Sequence, residues 1–183
     1  MQISLFTNRK TNIRSMVKTS ISMALAAMFL TAGLANAKGP GKRISFEGYL
    51  QGHEADTLQG SPPETISVDG NVTGIATHLG QFTLTYKVTV DLPDGFGTGS
   101  AELIAADGDR MFISVVGQGE PTNPDTPDLN RIVEIDTIKG GTGRFAGALG
   151  SITIKRLVDL ATGFTSGSIQ GIILFPAARH GGR

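Results

Sequence analysis

The sequence predicts an all-β domain built as an eight-stranded antiparallel closed barrel, and three observations lead there. Eight short segments alternate apolar and polar residues, and none carries a convincing 3.6-residue period. Between them stand Gly, Pro, Asn and Asp, the residues that turns recruit. The densest glycine stretch, residues 140–151, holds five glycines in twelve positions, yet no helix follows it as a phosphate-binding loop would require. Eight antiparallel strands suit a closed barrel because closure leaves no exposed sheet edge. On pattern alone a two-sheet sandwich is the alternative.

The segments are, in order, 44–50, 71–78, 81–91, 98–106, 109–117, 130–138, 151–158 and 164–175. In the first, Ile44, Phe46 and Leu50 share one face, while Glu47 and Tyr49 share the other. The third is the clearest: Phe82, Leu84, Tyr86, Val88 and Val90 alternate with Thr83, Thr85, Lys87 and Thr89, one face buried and one wet. Asp107-Gly108 separates the fourth from the fifth and reads as a two-residue type I′ hairpin turn. Asp94-Gly95 is a weaker signal of the same kind. Residues 119–130 contain three prolines and no apolar pattern before Leu129, so they read as a surface loop; residues 51–63 read as a second long loop. Residues 151–158 (SITIKRLV) alternate again, and 164–175 close the domain after a turn at Ala161-Thr162-Gly163.

The N-terminus carries Arg9, Lys10, Arg14 and Lys18, then an apolar run over 21–34, then Ala35-Asn36-Ala37. This is the plan of a signal peptide over residues 1–37, with small residues where a signal peptidase cuts. The apolar run falls short of the ~20 residues a membrane span needs. The expected organisation is a signal peptide, a flexible arm at 38–43, one barrel domain at 44–176 and a disordered tail at 177–183. The chain has 16 basic and 16 acidic residues, and four basic but no acidic ones lie in the leader. Cleavage leaves 12 against 16, an acidic domain that argues against nucleic acid and anionic membranes as partners. The absence of cysteine removes disulfides, thiol catalysis and thiolate metal sites. A secreted or periplasmic bacterial protein fits these features best.

Residues 140–151 (GGTGRFAGALGS), preceded by Ile135-Asp136-Thr137-Ile138 and followed by Ser168-Ile169-Gln170-Gly171, resemble the GGTG-x-F-x-x-A-x-G segment of allene oxide cyclases and dirigent proteins. Gly74 to Thr83 and Asp107 to Arg110 look like recurring segments of secreted bacterial relatives. The resemblance implies an eight-stranded antiparallel barrel and, by analogy, a homotrimer. In the glycine block itself, Gly140 and Gly141 supply positive φ, Phe145 plugs a barrel end, and Arg144 pairs with a carboxylate of a neighbouring loop. The plant cyclases that the chain resembles place a glutamate on the first strand, an asparagine two residues on and a Ser-Pro soon after. Here Glu47 is the weak catalytic candidate, but Tyr49 replaces the asparagine and Ser61-Pro62 lies well beyond the plant spacing.

Other chemistry is sparse. His53, His78 and His180 have no metal-ligand spacing, and His78 reads as a turn residue. Asp107 and Asp109 lack the remaining ligands of a calcium loop, so neither a metal nor a cofactor is expected. Phe82, Leu84, Tyr86, Met111, Ile113 and Val115 face the interior together, as packed core or as the lining of an apolar-ligand site large enough for a fatty acid. The functional expectation is an exported, non-catalytic barrel that binds a small apolar molecule or serves a structural role. The alternative is a cyclase- or isomerase-type enzyme acting on a reactive lipid-like or phenolic substrate. Intact mass of the exported protein is expected to start at Lys38; soluble, exported protein retaining residues 1–37 would overturn the leader.

Overall fold

The structure, a computed structural model, describes residues 41–120 and 125–177. The expected signal peptide, half of the expected arm and nearly all of the expected tail lie outside the described residues. Eight strands follow one another: β1 (Arg43–Gly60), β2 (Pro63–Ala76), β3 (Gly80–Asp91), β4 (Phe96–Ala105), β5 (Arg110–Gly119), β6 (Leu129–Gly141), β7 (Leu149–Asp159) and β8 (Phe164–Leu174). Each pairs antiparallel with its neighbour, and β1 pairs with β8 from Arg43↔Leu174 to His53↔Phe164, so the sheet closes into a barrel. The sandwich alternative is thereby excluded.

Alternation decides what fills the barrel. On β1, Phe46 and Leu50 point inward, with Glu47 and Tyr49 exposed outside. Phe82 and Leu84 of β3, Leu103 of β4, Met111 and Ile113 of β5, Ile138 of β6, Ile152 and Ile154 of β7, and Ile169 and Ile173 of β8 complete one continuous core. Fully burying such a side chain contributes about 1.5–3 kcal/mol.

The expected loop over 51–63 is absent. Strand β1 continues to Gly60 and β2 begins at Pro63, forming a long hairpin paired from Gly48↔Ala76 outwards. Its inward positions after Leu50 are Gly52, Glu54 and Asp56, so the apolar alternation stops while backbone pairing goes on. At the far end β2 stops at Ala76, and His78 takes a positive φ of 63° in the turn to β3, as a turn residue. The Asp107-Gly108 turn is not type I′, because only Gly108 has positive φ (86°). Gly108 N–H donates to the Ala105 carbonyl at 2.9 Å and Ala105 N–H to that of Asp109 at 2.9 Å, a longer loop than the two-residue form.

The glycine block closes the end of the barrel where β2 meets β3 and β4 meets β5. Phe145 sits in a short 3₁₀ turn, Gly143–Phe145, and is buried with Leu79 and Ala148 across that end. Arg144 pairs with Asp107 at 3.2 Å, donates to the Leu79 carbonyl at 3.0 Å and lies 4.8 Å over the Phe145 ring. Its backbone N–H donates to the Asp109 carboxylate at 2.8 Å. Asp107 and Asp109 thus hold the corner together. Positive φ falls on Gly140 (143°), as expected, and on Gly143 (50°), but not on Gly141, which is constrained instead by close approach: a Cβ there would strike the Arg110 carbonyl and the Phe145 side chain. At Gly143 a side chain would also meet the Asp109 carboxylate. Gly141→Val and Gly143→Val are therefore expected to destabilise the protein by about 1–3 kcal/mol each in thermal melts. Unchanged melting in both would contradict this account of the corner.

A buried ion cluster and cavity at the barrel mouth

At the opposite end, below the turns joining β1–β2, β3–β4, β5–β6 and β7–β8, inward positions turn from aliphatic to ionic. Arg156 follows Ile152 and Ile154 on the inner face of β7. Glu134 and Asp136 occupy the same face of β6 beside Ile138, Glu54 that of β1, Tyr86 that of β3 and Thr165 that of β8. The Arg156 side chain is 5% exposed, between Glu54 at 4% and Glu134 at 8%. Its Nε and Nη2 each lie 3.0 Å from Glu134 Oε1, and its Nη1 meets Glu54 Oε2 and, at 3.3 Å, Thr165 Oγ1. Tyr86 Oη donates to Glu54 Oε2 at 2.6 Å, and the Tyr86 ring stands 5.1 Å from the guanidinium carbon. Tyr86 fits only because β2 offers Gly70 opposite it, where a Cβ would collide with the phenol ring.

Desolvation penalises every charge here, and neighbours decide how far each group yields. Burial pushes the Glu134 carboxyl upward, with Arg156 pulling against it. Arg156 itself is opposed by burial, but Glu134, Tyr86 and Glu54 outweigh that and hold the guanidinium above its ordinary value. Burial, partly offset by Arg156, raises the Tyr86 phenol. Asp136 is pushed up to about 8 by burial and by Glu134 next to it. Its carboxyl accepts the Val116 N–H at 3.2 Å, where the β5–β6 ladder lapses between Ser114↔Thr137 and Gly117↔Glu134. Asp56, nearer the rim, is raised by burial and by Glu54.

Above the cluster lies a cavity of about 190 Å³. Glu54, Asp56, Glu134 and Arg156 form its polar side; Ile66, Val68, Val88, Val90, Val115 and Ile132 belong to its apolar wall, and Asn130 also lines it. An engineered apolar cavity of ~150 Å³ holds benzene, so this one suits a single-ring body. It does not suit a fatty acid.

The residues singled out in the sequence divide accordingly. Phe82, Leu84, Met111 and Ile113 are packed into the core, because the narrow apolar half of the barrel is filled by side chains from all eight strands. Val115 reaches the cavity, and Tyr86 supports it through Glu54. Glu47 stays on the outer face, since the strand's parity places Phe46 inside, and its backbone exchanges hydrogen bonds with the Thr77 side chain. Glu54, Asp56, Asn130, Glu134, Asp136, Arg156 and Thr165 did not emerge as candidates from sequence. The available signal was a charge at an apolar parity position: Arg156 after Ile152 and Ile154, and Glu134 and Asp136 before Ile138. Among the described residues no cluster of three or more potential metal ligands is present.

The same architecture occurs in two solved structures, the pterocarpan synthase dirigent proteins GePTS1 and PsPTS1. Each aligns with a TM-score of 0.55 at 14% identity, covering 82% and 76% of this chain respectively and 99% of its own length. No protein-family model and no curated protein matches the sequence. The fold is a dirigent-like barrel.

Asp136 makes stability depend on pH in a defined direction. Its folded pKa of about 8 exceeds the 3.8 of an unperturbed aspartate. The protonated form stabilises the fold fully below about 3.8, and that contribution is lost as pH rises through 8. Asp136→Asn keeps the acceptor for Val116 without the charge, so the variant should gain on wild type as pH rises from 4 to 8. Each pH unit in that window is worth up to about 1.4 kcal/mol. Urea unfolding of both proteins across the range measures it; a constant difference between the two would contradict a protonated Asp136.

Proposed function

We propose that this protein is an exported small-molecule-binding barrel whose ligand enters at the mouth between the β1–β2, β3–β4, β5–β6 and β7–β8 turns. The ligand's apolar body rests against the valine wall, and its polar end meets the Glu54–Arg156–Glu134 floor. The cavity directly above a desolvated ion cluster is the observation that carries this reading. A buried ion pair is weak evidence for stability, since well-packed apolar residues often replace one without loss. Perturbed groups around a cavity are what binding and catalytic sites share.

A second reading is favoured by the Tyr86–Glu54 hydrogen bond. A carboxylate paired with a phenol beside a fixed guanidinium can accept a proton at one position of a substrate and return it at another. That is the balance an isomerisation or cyclisation needs, with no external oxidant or reductant. The solved neighbours are named as synthase dirigent proteins, which keeps this reading beside the first.

The test is ligand-observed NMR with a panel of single-ring compounds on the folded domain. Saturable binding is expected, with at least a tenfold loss in Val90→Phe, which fills the cavity from its wall, and no competition by palmitate. Binding that survives Val90→Phe, or no binding to the folded wild type, would remove the mouth as a ligand site.

A further inference from the structure

The mouth offers acceptors in excess, and that imbalance selects the charge of a ligand. Three carboxylates line the cavity, those of Glu54, Asp56 and Glu134, against a single guanidinium. That guanidinium is already committed: Nε and Nη2 face Glu134, and Nη1 faces Glu54 and Thr165. It has no free fork with which to clamp a ligand's carboxylate or phosphate. An anion entering here would meet the buried Glu54 and Glu134 carboxylates with little water to screen them.

A separate observation points the same way. Asn130, four residues before Glu134 on the inward face of β6, buries its Oδ1, for which no hydrogen-bond partner is present among the described residues. A buried acceptor left without a partner carries an uncompensated desolvation penalty, and Asn130 lines this same cavity. A ligand that brings a donor relieves it, while one that brings only acceptors does not. The remaining walls, Ile66, Val68, Val88 and Val90, leave the rest of the ligand to hydrocarbon.

Resting on the reading of the mouth as a ligand pocket, we infer that its ligand is a small organic cation: a protonated amine carried on an apolar body of about one ring. An ammonium group has three donors and no acceptor. It matches a site that supplies Asn130 Oδ1 and surplus carboxylate oxygens and holds almost no spare donor. A neutral alcohol satisfies one acceptor and adds lone pairs that find little to bind.

The experiment is calorimetric titration of the folded protein at pH 7 with three probes of nearly equal shape: 2-phenylethylamine, 2-phenylethanol and phenylacetate. The amine is expected to bind saturably, the alcohol at least tenfold more weakly and phenylacetate not at all. Asp56→Asn, at the exposed rim, is expected to weaken the amine at least fivefold and to leave the alcohol unchanged. Val90→Phe is expected to abolish amine binding, which separates the cavity from the acidic outer surface. Alcohol or phenylacetate binding as tight as the amine would keep the pocket and overturn its preference for a cation. Amine binding indifferent to both substitutions would overturn the assignment to this cavity. If none of the three probes binds, the pocket itself falls with the inference.

Discussion

Arg156 is held inside the barrel by carboxylates from two other strands, and the layout of the interior follows from that desolvated charge. Glu54 on β1 and Glu134 on β6 flank the guanidinium, Thr165 on β8 accepts from it, and Tyr86 on β3 supports Glu54. With β7 carrying Arg156 itself, five of the eight strands meet at one group. Removing one partner from such a pair typically costs about 3–5 kcal/mol, because the other charge is left buried and alone. The group therefore fixes a level in the barrel: aliphatic packing lies below it, and the cavity lies above it.

The two ends of the barrel do different work. One is sealed by the glycine block, whose Phe145 closes the core and whose Arg144 ties three turns together through Asp107, Asp109 and the Leu79 carbonyl. The other end has small lining positions: Gly97 on β4 and Gly117 on β5 border the cavity and carry no side chain to fill it. An eight-stranded barrel has room to be filled or to hold one small ligand. This one does the first at the sealed end and leaves a small space at the other.

The strand count, the antiparallel order and the sealed corner were legible because they rest on local chemistry. Alternation in 81–91 and 151–158 needs only a buried face and a wet one, and Phe145 and Arg144 take the places their surroundings in the glycine block suggest. The site was not legible for the same reason. Beyond Leu50 the inward positions of β1 are Gly52, Glu54 and Asp56, so a paired strand reads as a polar loop. On β6 and β7, Glu134, Asp136 and Arg156 interrupt apolar faces at single positions, and charges at such positions look like register noise until partners from other strands are seen. Glu47 drew attention through family analogy, yet the parity of Ile44, Phe46 and Leu50 had already placed it outside. Phe82, Leu84, Met111 and Ile113 were read correctly as interior, but whether interior means core or cavity depends on all eight strands at once.

The central claim is that the Arg156 cluster is the floor of the ligand site. Arginine side-chain NMR addresses it directly, since a guanidinium this buried should give a slowly exchanging, dispersed Nε–H resonance that Arg156→Met assigns. On titration with a single-ring ligand, the Arg156 Nε–H signal is predicted to shift in step with occupancy while the Arg144 signal at the sealed end stays fixed. An Arg156 signal that remains in place while the ligand saturates, or a response centred on Arg144, would contradict the account.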